Sequence, residues 1–262
     1  MKLSDAGITL SQLGHLERFG FGHSRTAPME ISYNGKALRL ARWPNDGSYV
    51  NVESTPDGRE GKRFTYPSSL GSRAEKWRHE NDLWVYGFWY WSWADDSAKI
   101  ASVDPAHHTM TLGSELHYGM RTGHIQSGNH AGYSQQGGYF HVFNALSELD
   151  QGGEYYIDRK SGILYIYPPT QHGDLSHHDV VYASLLNNLF ELSHLSHFHI
   201  SDLILDGSRH YGILGQSLSS CSFDRLEIRN TGSYGMHLSG SNILVRQCDI
   251  HDTDGGISIS GK

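Results

Sequence analysis

Five acidic residues in the last third of the chain fall where a carboxylate points outward from a strand or sits in a turn: Asp206, Glu227, Asp249, Asp252 and Asp254. Two carboxyl groups flanking an acetal can cleave it. At about 5–5.5 Å one serves as nucleophile and the other as acid; at about 6.5–9.5 Å one activates a water instead. Asp252 and Asp254, inside Asp-Thr-Asp-Gly-Gly, are the candidate catalytic pair. A second reading stands beside it, because Asp and Asn in such a string also shape turns by hydrogen-bonding their own backbone.

Other side chains offer recognition rather than bond cleavage. His237, in Met236-His237-Leu238, alternates outward on a strand and is a candidate acid/base or hydroxyl ligand. His197 and His199 also alternate outward, with His194 nearby, but they lack a carboxylate or cysteine partner at ligand spacing, so no metal is expected. The run LWVYGFWYWSW over residues 83–93 is dense in rings, and a sugar's apolar face stacks on rings. Trp84, Tyr86 and Phe88 are expected to pack inside, which leaves Trp89 and Trp91 as candidate sugar contacts. Trp43 and Asn45, in Trp43-Pro44-Asn45, are candidate contacts at a junction between modules. For all of these, packing against the rest of the chain is the alternative. No nucleophile elbow, P-loop or dinucleotide fingerprint occurs, and no cofactor is expected.

The elements that must position these groups are repeats. Three segments, beginning near Phe198, Cys221 and Ile243, superimpose with a step of 21 to 23 residues. Apolar residues fall into columns: Phe198, Cys221, Ile243; Ile200, Phe223, Val245; Leu203, Leu226, Cys248; Leu205, Ile228, Ile250; and, after a turn, Phe190, Ile213, Met236, Ile257. Alternation within each copy is the period-2 mark of a strand with one buried face. One copy cannot bury that face alone, whereas stacked copies build a continuous core. The fold class is therefore all-β, a right-handed parallel β-helix starting near Leu189 and preceded by a β-sandwich or barrel-like module. Adjacent coils lie about 4.8 Å apart, so outward acids on neighbouring coils can meet the spacings above. Arg225, Arg229 and Arg246 lie on the coils, but the pattern shows no Arg–carboxylate cluster. Cys221 and Cys248 occupy different inward columns and read as core thiols.

The preceding region reads as hairpins. MEISYNGKALRLARW carries Asn34-Gly35 as a type I′ turn. KIASVDPAHHTMTL and EYYIDRKSGILYIYPP are two more, the last closed by Pro168-Pro169. Helical turns are expected near Ser11–Arg18 and Ser72–Glu80. The formal net charge of −7, with no basic block, argues against a nucleic-acid partner. No apolar run reaches the roughly 20 residues of a membrane span.

Three blocks carry a resemblance. LRLARWPNDGSYVNV (38–52), WVYGFWYWSWAD (84–95) and NALSELDQGGEYYIDRKSGILYIYPP (144–169) resemble, in the same order, motifs of a β-helix family with an inserted β-sandwich. Gly152 stands where Pro is usual in the third. That family includes a glycoside hydrolase branch with α-L-fucosidase and xylanase members. The resemblance implies a lead-in at residues 1–28, an inserted module at 29–170 and the start of the main β-helix at 171–262. It also implies a chain that continues past both ends, so that catalytic residues can lie outside it. The expected function is that of a secreted glycoside hydrolase on a plant or algal polysaccharide, in the extracellular or periplasmic space. A non-catalytic glycan-binding surface protein and a polysaccharide lyase are the alternatives.

Overall fold

The alternating columns at the C-terminal end stack in the computed structural model, which describes residues 1–21, 26–45, 47–124, 136–170 and 175–261. Strands Asn188–Ser193, Tyr211–Asp224, Glu227–Arg246 and Asp249–Gly261 pair in parallel, each on the coil before it. Phe190, Ile213, Met236 and Ile257 lie one above another, as do Ile200, Phe223 and Val245, and Leu205, Ile228 and Ile250. About three turns form, filled by a core in which Ile213, Phe223, Ile228, Met236 and Leu238 are wholly buried. Lys262 lies outside the described residues. Both cysteines are free, Cys221 buried and Cys248 half-buried in its own column.

The corners of the coils repeat as faithfully as the strands. Gly207, Asn230 and Asp252 form one column of left-handed residues, with φ of 83°, 53° and 52°. Asp202, Arg225 and Gln247 form another. Asn and Asp tolerate this conformation because their short polar side chains bond locally. The corners also correct one expectation, since each coil arginine pairs with a carboxylate one coil earlier. Arg225 donates twice to Asp202 at 2.6 Å, Arg246 to Asp224 at 2.8 Å, and Arg229 to Asp206 at 2.8 Å. An offset of one whole coil hid these pairs from a reading of neighbours along the chain.

The module before the β-helix is built on a seven-stranded, mostly antiparallel sheet. Its path runs Arg42–Trp43, Tyr139–Phe143, Trp84–Phe88, Asp96–Asp104, Thr109–Leu112, Arg63–Thr65, with Val50–Asn51 also beside Tyr139–Phe143. The sheet wraps a core of Phe64, Tyr66, Trp77, Val85, Trp89, Met110, Phe140 and Val142. Helix Gly71–Trp77 closes it, with the Trp77 indole donating to buried Glu148 at 2.7 Å. The inward set on the ring-rich strand is thus Val85 and Trp89, not Trp84, Tyr86 and Phe88. These three share the opposite face with their cross-strand partners Phe143, His141 and Tyr139. Gly87 lies on the same face as Val85, and a Cβ there would lie 2.2 Å from the Tyr139 carbonyl oxygen.

All three expected hairpins form. Asn34 and Gly35 both have positive φ, 48° and 78°, as a type I′ turn requires. Beyond it the chain leaves the hairpin: Arg39–Leu40 pairs in parallel with Glu154–Tyr155, and Arg42–Trp43 joins the large sheet. A third core, with Leu3, Leu13, Met29, Ile31, Tyr155, Ile157 and Leu164, draws on segments from residue 3 to residue 183. The first helical turns lie at Leu3–Ala6 and Leu10–Gln12, and the chain from residue 14 to 19 is irregular rather than helical. Among the described residues no helix is long and apolar enough to cross a membrane.

Candidate functional site

The outer face of the large sheet presents Tyr86, His141 and Phe143, which need cover. The segment before the first hairpin supplies it. Phe19 donates its backbone N–H to Ser97 Oγ at 2.8 Å and accepts from Ser97 N–H at 3.0 Å; Phe21 N–H reaches the Asp95 carbonyl at 2.9 Å. Arg18 grips buried Asp96 through both carboxylate oxygens, the Nε to Oδ1 contact being 2.7 Å. The Phe19 ring then stacks on Tyr86 at 5.4 Å and meets Phe143 edge-on at 5.7 Å. Further on, Ala27 N–H bonds the Arg209 carbonyl of the β-helix at 2.7 Å. A side chain at Gly232 would lie 2.5 Å from Ala27 Cβ, so glycine there lets the segment rest on the coil.

Between sheet, segment and coil lies a cleft of about 590 Å³. That is a volume fit for a few sugar rings. Its ionisable lining is rich in carboxylates, with Glu17, Glu30, Asp95 and Asp254 facing Arg18, Arg39 and Arg42. Burial pushes the Glu30 carboxyl up to about 7, against a smaller opposing pull from Arg209. Asp254 is raised as well, by burial first and by the charge of Asp95 second. Asp95 in turn accepts from the Tyr86 hydroxyl at 2.9 Å, and burial together with Asp95 holds that phenol firmly protonated. Glu30, Asp95 and Asp254 line the same cleft. His141 is 7% exposed and kept well below its usual range, by burial and then by Arg42. A carboxyl that keeps its proton near neutrality beside another that can ionise is the equipment for general acid–base work.

The cleft gathers only part of what the sequence singled out. Asp254 lines it. Asp252 does not: it is a left-handed corner residue whose carboxylate meets the His251 ring at 2.7 Å, the turn-forming reading. Trp89 is 2% exposed, donates to the Asp96 carbonyl at 2.9 Å and stacks on Phe140, so it leaves the sugar-contact set. Trp91 is half-buried against Tyr90. Trp43 packs on Trp77 at 5.8 Å under the Arg73 guanidinium, and Asn45 donates to Asp150 at 2.9 Å. His237 stays on its outward rung, stacked on Tyr211 at 5.1 Å, away from the cleft lining. Two exposed rings lie together here, Trp93 and Phe21, 52% and 44% exposed and edge-on at 5.1 Å, with Phe21 in the cleft wall.

Sequence reasoning missed Glu30, Asp95, Phe21 and His141. Asp95 closes the ring-rich block that carried the family resemblance, and that was its one signal. Among the described residues no group of His, Cys, Asp or Glu is arranged to hold a metal.

Residues 189–262 match the family described as right handed beta helix region. The chain as a whole is similar to a solved structure titled glycoside hydrolase, with a TM-score of 0.52 and 12% identity over 90% of this chain and 61% of that one. It therefore spans less than two thirds of that protein's length, and at this identity the likeness is one of fold. No curated protein matches the sequence. The chain is a right-handed parallel β-helix with an antiparallel β module docked on its first coils, an architecture resembling that of a glycoside hydrolase.

Proposed function

We propose that the chain is carbohydrate-active and that the junction cleft hydrolyses glycosidic bonds of a poly- or oligosaccharide. The observation that carries this is the raised carboxyl of Glu30, pushed to about 7 in a ring-lined cleft that also holds the coupled Asp95 and Asp254. Protonated Glu30 gives its proton to the leaving glycosidic oxygen as the bond to the anomeric carbon breaks. The ionised member of the Asp95–Asp254 pair acts at that carbon, as base toward water or as nucleophile. Water supplies the new hydroxyl, and Glu30 regains its proton from solvent. Extracellular or periplasmic residence follows from this reading and from the family resemblance.

The test is reducing-end release by the full chain on a panel of plant and algal polysaccharides. Glu30→Gln should lower turnover by roughly 10²–10⁴ while glycan binding persists. Asp254→Asn and Asp95→Asn should also slow it. Wild-type turnover in Glu30→Gln and Asp254→Asn would sink the assignment. A second reading, non-catalytic glycan binding, is favoured by the exposed Phe21 and Trp93 rings, clustered with half-buried Tyr118 at 5.1 to 6.1 Å from one another. Saturable binding with no bond cleavage by wild type selects it. The lyase reading needs a free Lys or Arg base, and Arg225, Arg229 and Arg246 are each held by a carboxylate.

A further inference from the structure

His141 presents a problem that the acid–base scheme does not use. It sits mid-strand in Tyr139–Phe143, 7% exposed, and its imidazole forms part of the cleft wall. Aromatic rings surround it: Tyr86 at 5.2 Å, Tyr49 at 5.5 Å and Phe143 at 6.0 Å. Its Nδ1 is buried with no hydrogen-bond partner among the described residues. An uncompensated buried nitrogen costs about 1–3 kcal/mol, and such groups call for a reason. A phenylalanine would fill the same space at no such cost.

We infer that His141 is the recognition residue of the cleft, hydrogen-bonding a hydroxyl of a neutral saccharide seated against the Phe19–Tyr86 wall. Three observations converge on it. Among the described residues no partner engages Nδ1, so that nitrogen is open to a ligand hydroxyl. The ring can then donate to a hydroxyl or accept from one, and a hydroxyl can reciprocate either way. Next, Arg42 stands beside the ring, so a second positive charge on the imidazole is opposed and the group works uncharged. Last, the charges around it disfavour an acidic sugar. Arg18 is committed to Asp96, which leaves Arg39 and Arg42 as the lining guanidiniums against four carboxyl groups, Glu17, Glu30, Asp95 and Asp254. Glu17, Asp95 and Asp254 would face a uronate carboxylate across the same space. A neutral ring meets none of that repulsion.

The inference rests on the cleft being a saccharide site and deepens that reading by naming the class of sugar and the residue that reads it. Binding is measured by calorimetry in the Glu30→Gln background, so that turnover does not interfere. The probes are methyl glycosides of glucose, galactose, xylose and fucose, with glucuronic and galacturonic acids as charged counterparts. The expected result is saturable binding of at least one neutral glycoside and weaker binding of the uronates. His141→Phe, which keeps the ring and removes its nitrogens, should weaken that binding about tenfold or more. His141→Gln, which restores a neutral donor and acceptor, should recover much of it.

A reading on unmodified protein removes any dependence on how the variants fold. In wild type with ¹⁵N-labelled histidine, an imidazole that stays neutral into acid pH should shift when the bound glycoside is added. Full-strength binding by His141→Phe, a preference for the uronates, no binding of any probe, or no shift of that imidazole would each overturn the inference. The two claims fail separately. Binding lost in His141→Phe with no hydrolysis by wild type removes the hydrolase reading alone; hydrolysis abolished by Glu30→Gln with His141→Phe binding intact removes this one alone.

Discussion

The acids on the β-helix corners and those in the cleft are the same residue types in opposite circumstances. Asp202, at a corner, takes two hydrogen bonds from Arg225 and is held down at about 2, first by that contact. Asp224 is lowered in the same way by Arg246. Glu30 and Asp254 are pushed the other way, because burial removes water without bringing a cation close enough to compensate. A carboxylate stabilised by an adjacent arginine is finished as a structural element. One left in a cleft with its proton half-released is available for chemistry. Asp96 sharpens the contrast: it lies beneath the same cleft, 4% exposed, yet Arg18 clamps it, and it belongs with the structural acids.

That division can be broken in graded steps. The largest effect is expected at Glu30, where the Gln variant should lose roughly two to four orders of magnitude in turnover. The wild-type rate should fall as pH rises through about 7, the value at which Glu30 gives up its proton. A flat wild-type profile between pH 6 and 8 would place the acid elsewhere. Next, Arg18→Met should destabilise the fold by about 3 kcal/mol, since it leaves a buried carboxylate without its partner. Urea unfolding measures this, and a change below 1 kcal/mol (about one exposed pair) would remove Asp96 from the structural acids.

Stability should also carry the mark of Glu30. Its folded-state value lies above its ordinary 4.5, so the native state holds the proton more tightly than the unfolded chain does. The contribution is fully present below about 4.5 and is lost as pH rises through about 7. Its ceiling is about 3 kcal/mol. Unfolding curves of wild type and Glu30→Gln should therefore converge at low pH and part as pH rises, with the wild type the less stable above 7. Smaller still, Trp93→Ala should weaken glycan binding several-fold by removing an exposed ring. At the bottom of the scale, Arg225→Ala should lower the melting temperature only slightly, because its pair with Asp202 is exposed and buried Asp224 keeps its closer partner Arg246. Asp252→Asn should leave turnover unchanged.

What could be read from the sequence follows from how each region repeats or fails to. The β-helix was legible to single residues: the columns through Ile213 and Met236, or Ile228 and Ile250, need only the 21 to 23-residue step and alternation. Asp254 was legible as an outward acid, but its neighbour in space is Asp95, contributed by another module. Glu30 was not legible at all. Its environment is made by Arg209 and Tyr155, more than a hundred positions away, and nothing in Met-Glu-Ile-Ser-Tyr marks the glutamate as unusual. The ring-rich strand was misread by one position because apolar residues occupy both of its faces, so alternation carried no phase.

Residues 16–21 and 26–28 complete the cleft by bridging the sheet module and the β-helix, before Met29 enters the third core. Among the described residues their hold includes the Arg18 clamp, the Phe19 and Phe21 backbone bonds, and two bonds between Ala27 and Arg209 across Gly232. Such a bridge is the first part to let go on warming, since fewer bonds secure it than secure either body. Heat should therefore silence the site at temperatures where far-ultraviolet circular dichroism still reports an intact protein, and cooling should bring it back. A protein built this way carries its own thermal fuse, set by one segment and adjustable without touching either core.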